Sequence, residues 1–241
     1  MHDYALYLES GPQRKKTMVH VLELAGCIAN GPTTEAALDA TPEAIRAFRR
    51  FVARHGEDID AGAEFTTHVA EHIAETGRWL GNGSPYANYA PDEQPLTPRE
   101  SEVSLARFMA IRETLAAWAG TQSAAALDAT PADGGRPARA ILLHVLGPTG
   151  ANLSTSLGGA RGFSALHTQA EGGTVDLGEA LLTSAGMAAD MVRAATPEQR
   201  RALIEKDSGD RRTLRKSVRF LLEHDWEHLA ELSRRKGGPA L

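Results

Sequence analysis

The stretch Leu221-Leu222-Glu223-His224-Asp225-Trp226-Glu227-His228-Leu229-Ala230-Glu231-Leu232 decides how this chain is read. Leucine and glutamate dominate it, and both favour the helix. In a helix, His224 and His228 stand one above the other on a single face. A rise of about 1.5 Å per residue separates them by about 6 Å along the axis, so both imidazoles can reach one ion. A third histidine, His144, ends the upstream segment Arg139-Ala140-Ile141-Leu142-Leu143-His144, at a similar border between apolar and polar residues. If the two helices pack side by side, three neutral nitrogens converge and leave coordination positions open. That is the pattern of a reactive metal rather than a structural clip. Three imidazoles suit zinc, nickel or ferrous iron, ions that lower the pKa of a bound water or thiol or polarise a carbonyl.

A lone histidine on a helix is usually a surface or core residue, and a pair at this spacing often arises by chance; His144, together with the family resemblance given below, is what favours a metal site. Glu227 and Glu231 have two readings, as groups that orient a ligand or act as general base, or as helix-surface carboxylates. Trp226 points away from the histidine face and is read as packing. His68 and His72 share the same spacing, but their segment reads as strand at least as well as helix. His167 falls in a glycine-rich connection, where an idle loop histidine is the plainer reading and a pocket wall the sharper one. Gly147-Pro148 follows His144 closely. Pro148 cannot donate to the His144 carbonyl, so the helix should kink or end there, either opening the pocket or displacing His144.

Outward from the helix, 241 residues suffice for one large domain or two small ones. The net charge of −5 argues against nucleic acid as the main partner. No stretch has the roughly 18 consecutive apolar residues of a membrane span, and the N-terminus lacks a signal-like core, so a cytosolic protein is expected. The single cysteine, Cys27, excludes an internal disulfide and reads as a small buried hydrophobe rather than a reactive thiol.

Tyr4–Leu8 reads as a strand, Val19 to Ile28 as further sheet interrupted at Gly26, and Asn30-Gly31 as a turn. Thr33 or Thr34 caps a helix carrying Ala37, Leu38, Ile45, Phe48 and Val52, which Pro42 should kink or divide and Gly56 should end. Phe65–Ile73 reads as another strand. Gly- and Pro-rich residues 76–96 read as a linker lying against the second domain. Thr97-Pro98-Arg99-Glu100 and Thr196-Pro197-Glu198-Gln199 are helix starts with capping boxes. Everything beyond Thr97 is periodic at helical spacing, in four main helices: 98–119, 137–157, 177–195 and 211–235. The first offers Val103, Ala106, Ile111, Leu115 and Trp118 to the core. Residues 158–174 are read as a long connection, and Ala-Leu-Asp-Ala-Thr-Pro, at 37–42 and 126–131, as a shared way of passing between helices. Arg211, Arg212, Arg215, Lys216 and Arg219 are read as a solvated basic face, with an anion site as the alternative. The fold expected is α+β: an α/β domain at 1–75, a linker at 76–96 and a four-helix bundle at 97–241.

Two resemblances sharpen this. Tyr4-Ala5-Leu6-Tyr7-Leu8-Glu9, Glu23-Leu24-Ala25-Gly26-Cys27-Ile28-Ala29-Asn30-Gly31 and Thr33-Thr34-Glu35-Ala36-Ala37-Leu38 resemble the small HicB-like domain. That resemblance implies a sheet edge or face able to hold a partner or ligand. Arg136-Pro137-x-Arg139-x-Ile141-Leu142-x-His144 and His224-Asp225-Trp226-Glu227-His228-Leu229-x-Glu231-Leu232 resemble the DinB-like superfamily, which includes thiol-dependent S-transferases. It implies metal ligands at His144, His224 and His228, a small-molecule or low-molecular-weight thiol substrate, and a homodimer. The function expected is a divalent-metal-dependent enzyme that activates water or a thiol for transfer or hydrolysis. The rival is a non-enzymatic binding or regulatory protein acting through the HicB-like domain.

Overall fold

The structure is a computed structural model that describes residues 1–11, 16–74, 79–132, 134–207 and 209–241. It is mixed α+β: an N-terminal four-stranded sheet, with its helix, is followed by helices. Strands β1 (His2–Gly11), β2 (Lys16–His20) and β3 (Ile28–Gly31) run antiparallel in sequence, and helix α1 (Thr34–Arg54) crosses over to β4 (Phe65–Ile73), which pairs parallel to β1. The sheet order is β3-β2-β1-β4. Alternation along β1 buries Tyr4, Leu6 and Leu8 in the main core, where α1 adds Ala37, Ile45, Phe48, Phe51 and Val52.

Three local expectations change. The sheet does not continue through Leu22–Ile28. Leu22–Leu24 is a 3-10 turn and Gly26 takes a left-handed φ of 104°, so β3 starts only at Ile28 and includes Asn30-Gly31. Helix α1 begins under its Thr33 cap and runs through Pro42 as one element; Thr41, just before the proline, ties its hydroxyl to the Ala37 carbonyl at 2.8 Å. The same hexapeptide at 126–131 instead ends a helix, α3 (Ala124–Asp128).

Residues 79–96, at the end of the expected linker, form a strap. Leu80, Ala87 and Tyr89 are buried against Tyr7, Leu22 and Ile73. Backbone approaches so closely that a Cβ on Gly81 would sit 2.3 Å from the Lys16 carbonyl oxygen. The strap is anchored by Glu9, a buried carboxylate of β1 that accepts the Ser84 N–H at 3.0 Å and the Gly83 N–H.

The helical part opens at α2 (Pro98–Gly120), capped as expected by Thr97 with Glu100 returning the hydrogen bond. Its buried stripe runs through Leu105, Phe108, Ile111 and Leu115, whereas Val103 and Ala106 face outward. The second expected helix is divided at Gly147 into α4 (Ala138–Leu146) and α5 (Pro148–Leu157). The expected connection contains α6 (Phe163–Glu171), which buries Phe163, Leu166 and Ala170 at helical spacing. Then come α7 (Leu177–Arg193), α8 (Pro197–Arg201), a small hairpin of β5 (Ile204–Glu205) with β6 (Arg211–Arg212), and α9 (Leu214–Ser233). Helices α2, α4–α5, α7 and α9 pack together, and α9 also meets β3. Trp226 of α9 stands edge-on to Phe48 and Phe51 of α1, with ring centroids 4.8 and 5.1 Å away. One continuous core therefore runs from the sheet into the helices. No helix among the described residues is long and apolar enough to cross a membrane.

Candidate metal centre

Helix α4 delivers His144 and α9 delivers His224 and His228 to one spot. The ring centroids lie 4.7 to 4.9 Å apart, and one nitrogen of each ring lies within 4.8 Å of the others. Nε2 of His144 and Nε2 of His224 are 3.2 Å apart. Two nitrogens each at about 2.0–2.1 Å from one tetrahedral ion would be about 3.3 Å apart. The His144–His224 pair has the spacing of two ligands on one divalent ion, and a nitrogen of His228 lies within 4.8 Å of both. His228 is buried, His224 half-buried and His144 exposed, so the cluster opens to solvent on the α4 side.

The other ring nitrogens are tied down. His228 donates from Nδ1 to Glu231 Oε2 at 2.8 Å, and Arg136 and Arg235 reach the same carboxylate at 3.1 and 3.7 Å. His224 Nδ1 lies 3.3 Å from Asp225 Oδ1. Holding Nδ1 as the donor leaves Nε2 with its lone pair free, the tautomer a metal needs. The hydrogen bond from His228, reinforced by Arg136, holds the Glu231 carboxyl down at about 2. Desolvation of its ring, then the charge that His224 and His228 would carry, lowers His144 to about 4. His144 is thus neutral, as a ligand must be.

Pro148 does not displace His144. The helix breaks one turn beyond it, and Arg112 of α2 stitches the break. Fully buried, Arg112 donates to the Val145 carbonyl at 3.0 Å and the Thr149 hydroxyl at 2.9 Å, and pairs with Asp225. One guanidinium thus fixes α4, α5 and the carboxylate behind His224. Sequence reading assigned Arg112 no role. Its signal was a charged residue inside the apolar stripe of α2, matched by Asp225 among Leu222, Trp226 and Leu229.

The remaining candidates fall elsewhere. His68 and His72 lie in β4, bonded to Asp3 at 2.8 Å and Ser10 at 2.8 Å. His167 sits on α6 beside Gly147, outside the triad. Cys27 is fully buried, which pushes its thiol well up from the ordinary range. Trp226 packs as expected. Glu227 bonds Asn30 at 3.3 Å and lies 3.7 Å from Lys16.

The basic cluster at the start of α9 is not a solvated face. Arg212, Lys216 and Arg219 are buried. Arg219 pairs with Asp92 of the strap at 2.8 Å and with Glu223 at 2.9 Å; Arg212 pairs with Asp210 at 2.9 Å. Lys216 donates to the carbonyls of Pro85 and Arg211, and its burial lowers it to about 8. The strap covers part of this face and supplies one counter-charge, Asp92, while Asp210 and Glu223 supply the others, which sequence periodicity could not show.

Comparison with protein-family models, with curated proteins and with solved structures finds no match. The class of protein is therefore defined by what the fold and site themselves contain: an α+β chain with three converging imidazoles.

Proposed function

We propose that the chain is a divalent-metal-dependent enzyme of the DinB-like kind, with His144, His224 and His228 holding zinc, nickel or iron. The observation that carries this is the convergence of three imidazoles from two helices, two of them oriented through Nδ1 by Glu231 and Asp225. Such an ion supplies a lowered pKa for a bound water or low-molecular-weight thiol. Glu231 is engaged by His228. Glu223 lines the same cavity as His224 but is engaged by His20 and Arg219, so Glu227, also in that wall, is the carboxylate placed to accept a proton. The HicB-like unit contributes Met18 of β2 to that cavity, and the strap contributes Asn82 and Gly83, which supports a role for this region in enclosing a substrate.

The second reading, a binding or regulatory protein, is favoured by one observation: β4 is an edge strand whose central residues His68, Val69 and Ala70 are exposed.

Elemental analysis of untagged protein, beside a His224→Ala/His228→Ala variant, tests the enzyme reading. Near-stoichiometric metal in the parent, absent from the folded variant, is the expected result, and thiol-transfer and hydrolase screens follow. Failure to take up zinc, nickel, iron or manganese on reconstitution would sink it and favour the second reading.

A further inference from the structure

A second cavity, of about 330 Å³, lies between the strap, the start of α2 and the start of α9, with Tyr7 of β1 and the Leu22–Ala25 turn on its remaining side. It shares no lining residue with the cavity that holds His224. Leu22, Ala25, Leu96, Val103 and Val218 give it apolar walls. Val103, at core spacing in the sequence, is 38% exposed here, so the protein itself does not cover it. The charges in the wall are already answered. Arg107 pairs with Glu57 at 2.6 Å, Arg215 with Glu100 at 2.7 Å and Arg219 with Asp92 at 2.8 Å. That leaves Arg99 and Glu23, one of each sign and both exposed to water; Glu23 also meets His2 at 2.9 Å. Two hydroxyls in the wall are not answered. Among the described residues neither Ser104 Oγ nor Tyr7 Oη has a hydrogen-bond partner, and neither atom is sealed off from solvent. Ser104 is only 5% exposed, so its oxygen opens to the cavity it lines. Burial, then the charges of Glu23, Glu71 and Asp92, push the Tyr7 phenol up, and two of those acids stand in the same wall. Tyr7 therefore stays protonated and able to donate.

We propose that this cavity binds an uncharged small molecule, its apolar body against Leu22, Leu96, Val103 and Val218 and its hydroxyl or carbonyl oxygen held by Tyr7 and Ser104. The volume is that of a small-molecule site, and apolar walls with a few convergent polar groups are what such sites are made of. A charged ligand fits worse in either sign. The inner guanidiniums and carboxylates already neutralise one another, so a further charge would give up its water without gaining a free counter-ion. An oxygen that accepts from Tyr7 and exchanges a hydrogen bond with Ser104 satisfies both open hydroxyls at once. The site does not involve the triad, and it stands whether or not the chain takes up metal.

Ligand-observed NMR titration of the full chain tests this with 1-octanol as probe, beside octanoate and octylamine, which share its chain and differ in the charge of the end group. The chain is expected to bind 1-octanol, about tenfold or more tightly than either charged analogue. Tyr7→Phe and Ser104→Ala each remove one hydroxyl and keep the packing. Each should weaken 1-octanol about threefold to tenfold, the worth of one neutral hydrogen bond. Val103→Glu sets a charge against the apolar body from an exposed position of α2 and should weaken binding at least as much, so it stands in if either of the other variants fails to fold. His224→Ala/His228→Ala should bind 1-octanol as the parent does. Absent binding, or affinity unchanged in the folded variants of Tyr7, Ser104 and Val103, overturns the site. Tighter binding of octanoate or octylamine overturns its uncharged character. Loss of 1-octanol in the His224→Ala/His228→Ala variant would put the alcohol at the triad and overturn the proposal as well.

Discussion

His20 and His228 each donate Nδ1–H to a glutamate of α9, Glu223 at 3.0 Å and Glu231 at 2.8 Å. Around His20 every neighbour is closed in. Glu9 lies 3.6 Å away, and Arg219 bridges Glu223 to Asp92. Against the penalty of burial, Glu223 and Glu9 hold His20 protonated up to about 9. Around His228 the carboxylate is partly exposed, and the ring faces two more imidazoles instead of a second acid. One assembly balances charge inside the protein and joins the sheet and strap to α9. The other leaves lone pairs turned toward each other near solvent. The same hydrogen bond thus serves a structural cation in one place and, on the metal reading proposed above, a ligand in the other; the second neighbour decides which.

The largest expected effect separates the two assemblies outright. His224→Ala/His228→Ala should abolish metal uptake while leaving the metal-free fold close to parent stability, read by elemental analysis and denaturant unfolding. Arg219→Met should do the reverse. It strands Asp92 and Glu223 without a partner, and breaking a buried pair by removing one member costs about 3–5 kcal/mol. Metal uptake by the folded fraction should persist. A folded Arg219→Met that binds no metal would show that the two regions are one.

The regions should also respond to pH in opposite directions. His20 is raised from its ordinary value of 6.5 to about 9. Its contribution is fully present below about 6.5, falls above that, and is gone once pH passes about 9, on the order of 3 kcal/mol. Against burial, Glu9 is lowered by His20 and Glu223 by Arg219 and then His20, so they stabilise at neutral pH and that share is lost as pH falls through their folded values. Metal binding needs unprotonated imidazoles and should weaken as pH falls. Unfolding free energies of metal-free parent and His20→Gln, measured from pH 6 to 9.5, check the alkaline limb. The parent should lose stability across that range and the variant much less. Parallel slopes would show that His20 is not held charged.

What the sequence made legible was whatever local chemistry controls. Thr33, Thr97 and Thr196 cap helices because a hydroxyl three residues before a free N–H acts at short range. His224 and His228 converge because helical spacing alone puts them together, and His144 joins them in the structure. What stayed hidden depends on partners distant in sequence. Residues 79–96 look like a linker because their prolines and glycines signal loop, while the buried anchors Glu9 and Asp92 look like surface acids until Ser84 and Arg219 are placed beside them. Arg212 and Lys216 look solvated for the same reason. Pro42 looks like a helix break because propensity is local and packing is not: Ala37, Ile45 and Phe48, on both sides of it, are all buried in one core.

The finest distinction compares Glu231→Gln with Glu223→Gln. Glutamine keeps an oxygen for the Nδ1–H of the histidine in both places and removes only the negative charge. At Glu231 the charge strengthens His228 as a donor of its Nε2 lone pair, and Arg136 fixes the carboxylate. Metal affinity should drop about tenfold to hundredfold, the usual cost of losing such a supporting carboxylate, with stability little changed. At Glu223 the charge offsets Arg219 and His20 inside the core. There the loss should appear in unfolding free energy, while metal affinity stays within a few-fold of the parent. Competition titration with a chromophoric chelator, run beside denaturant unfolding, measures both quantities on both variants. If Glu231→Gln lowers stability and spares affinity, the His228–Glu231 bond is a helix-surface contact and the triad stands without its support.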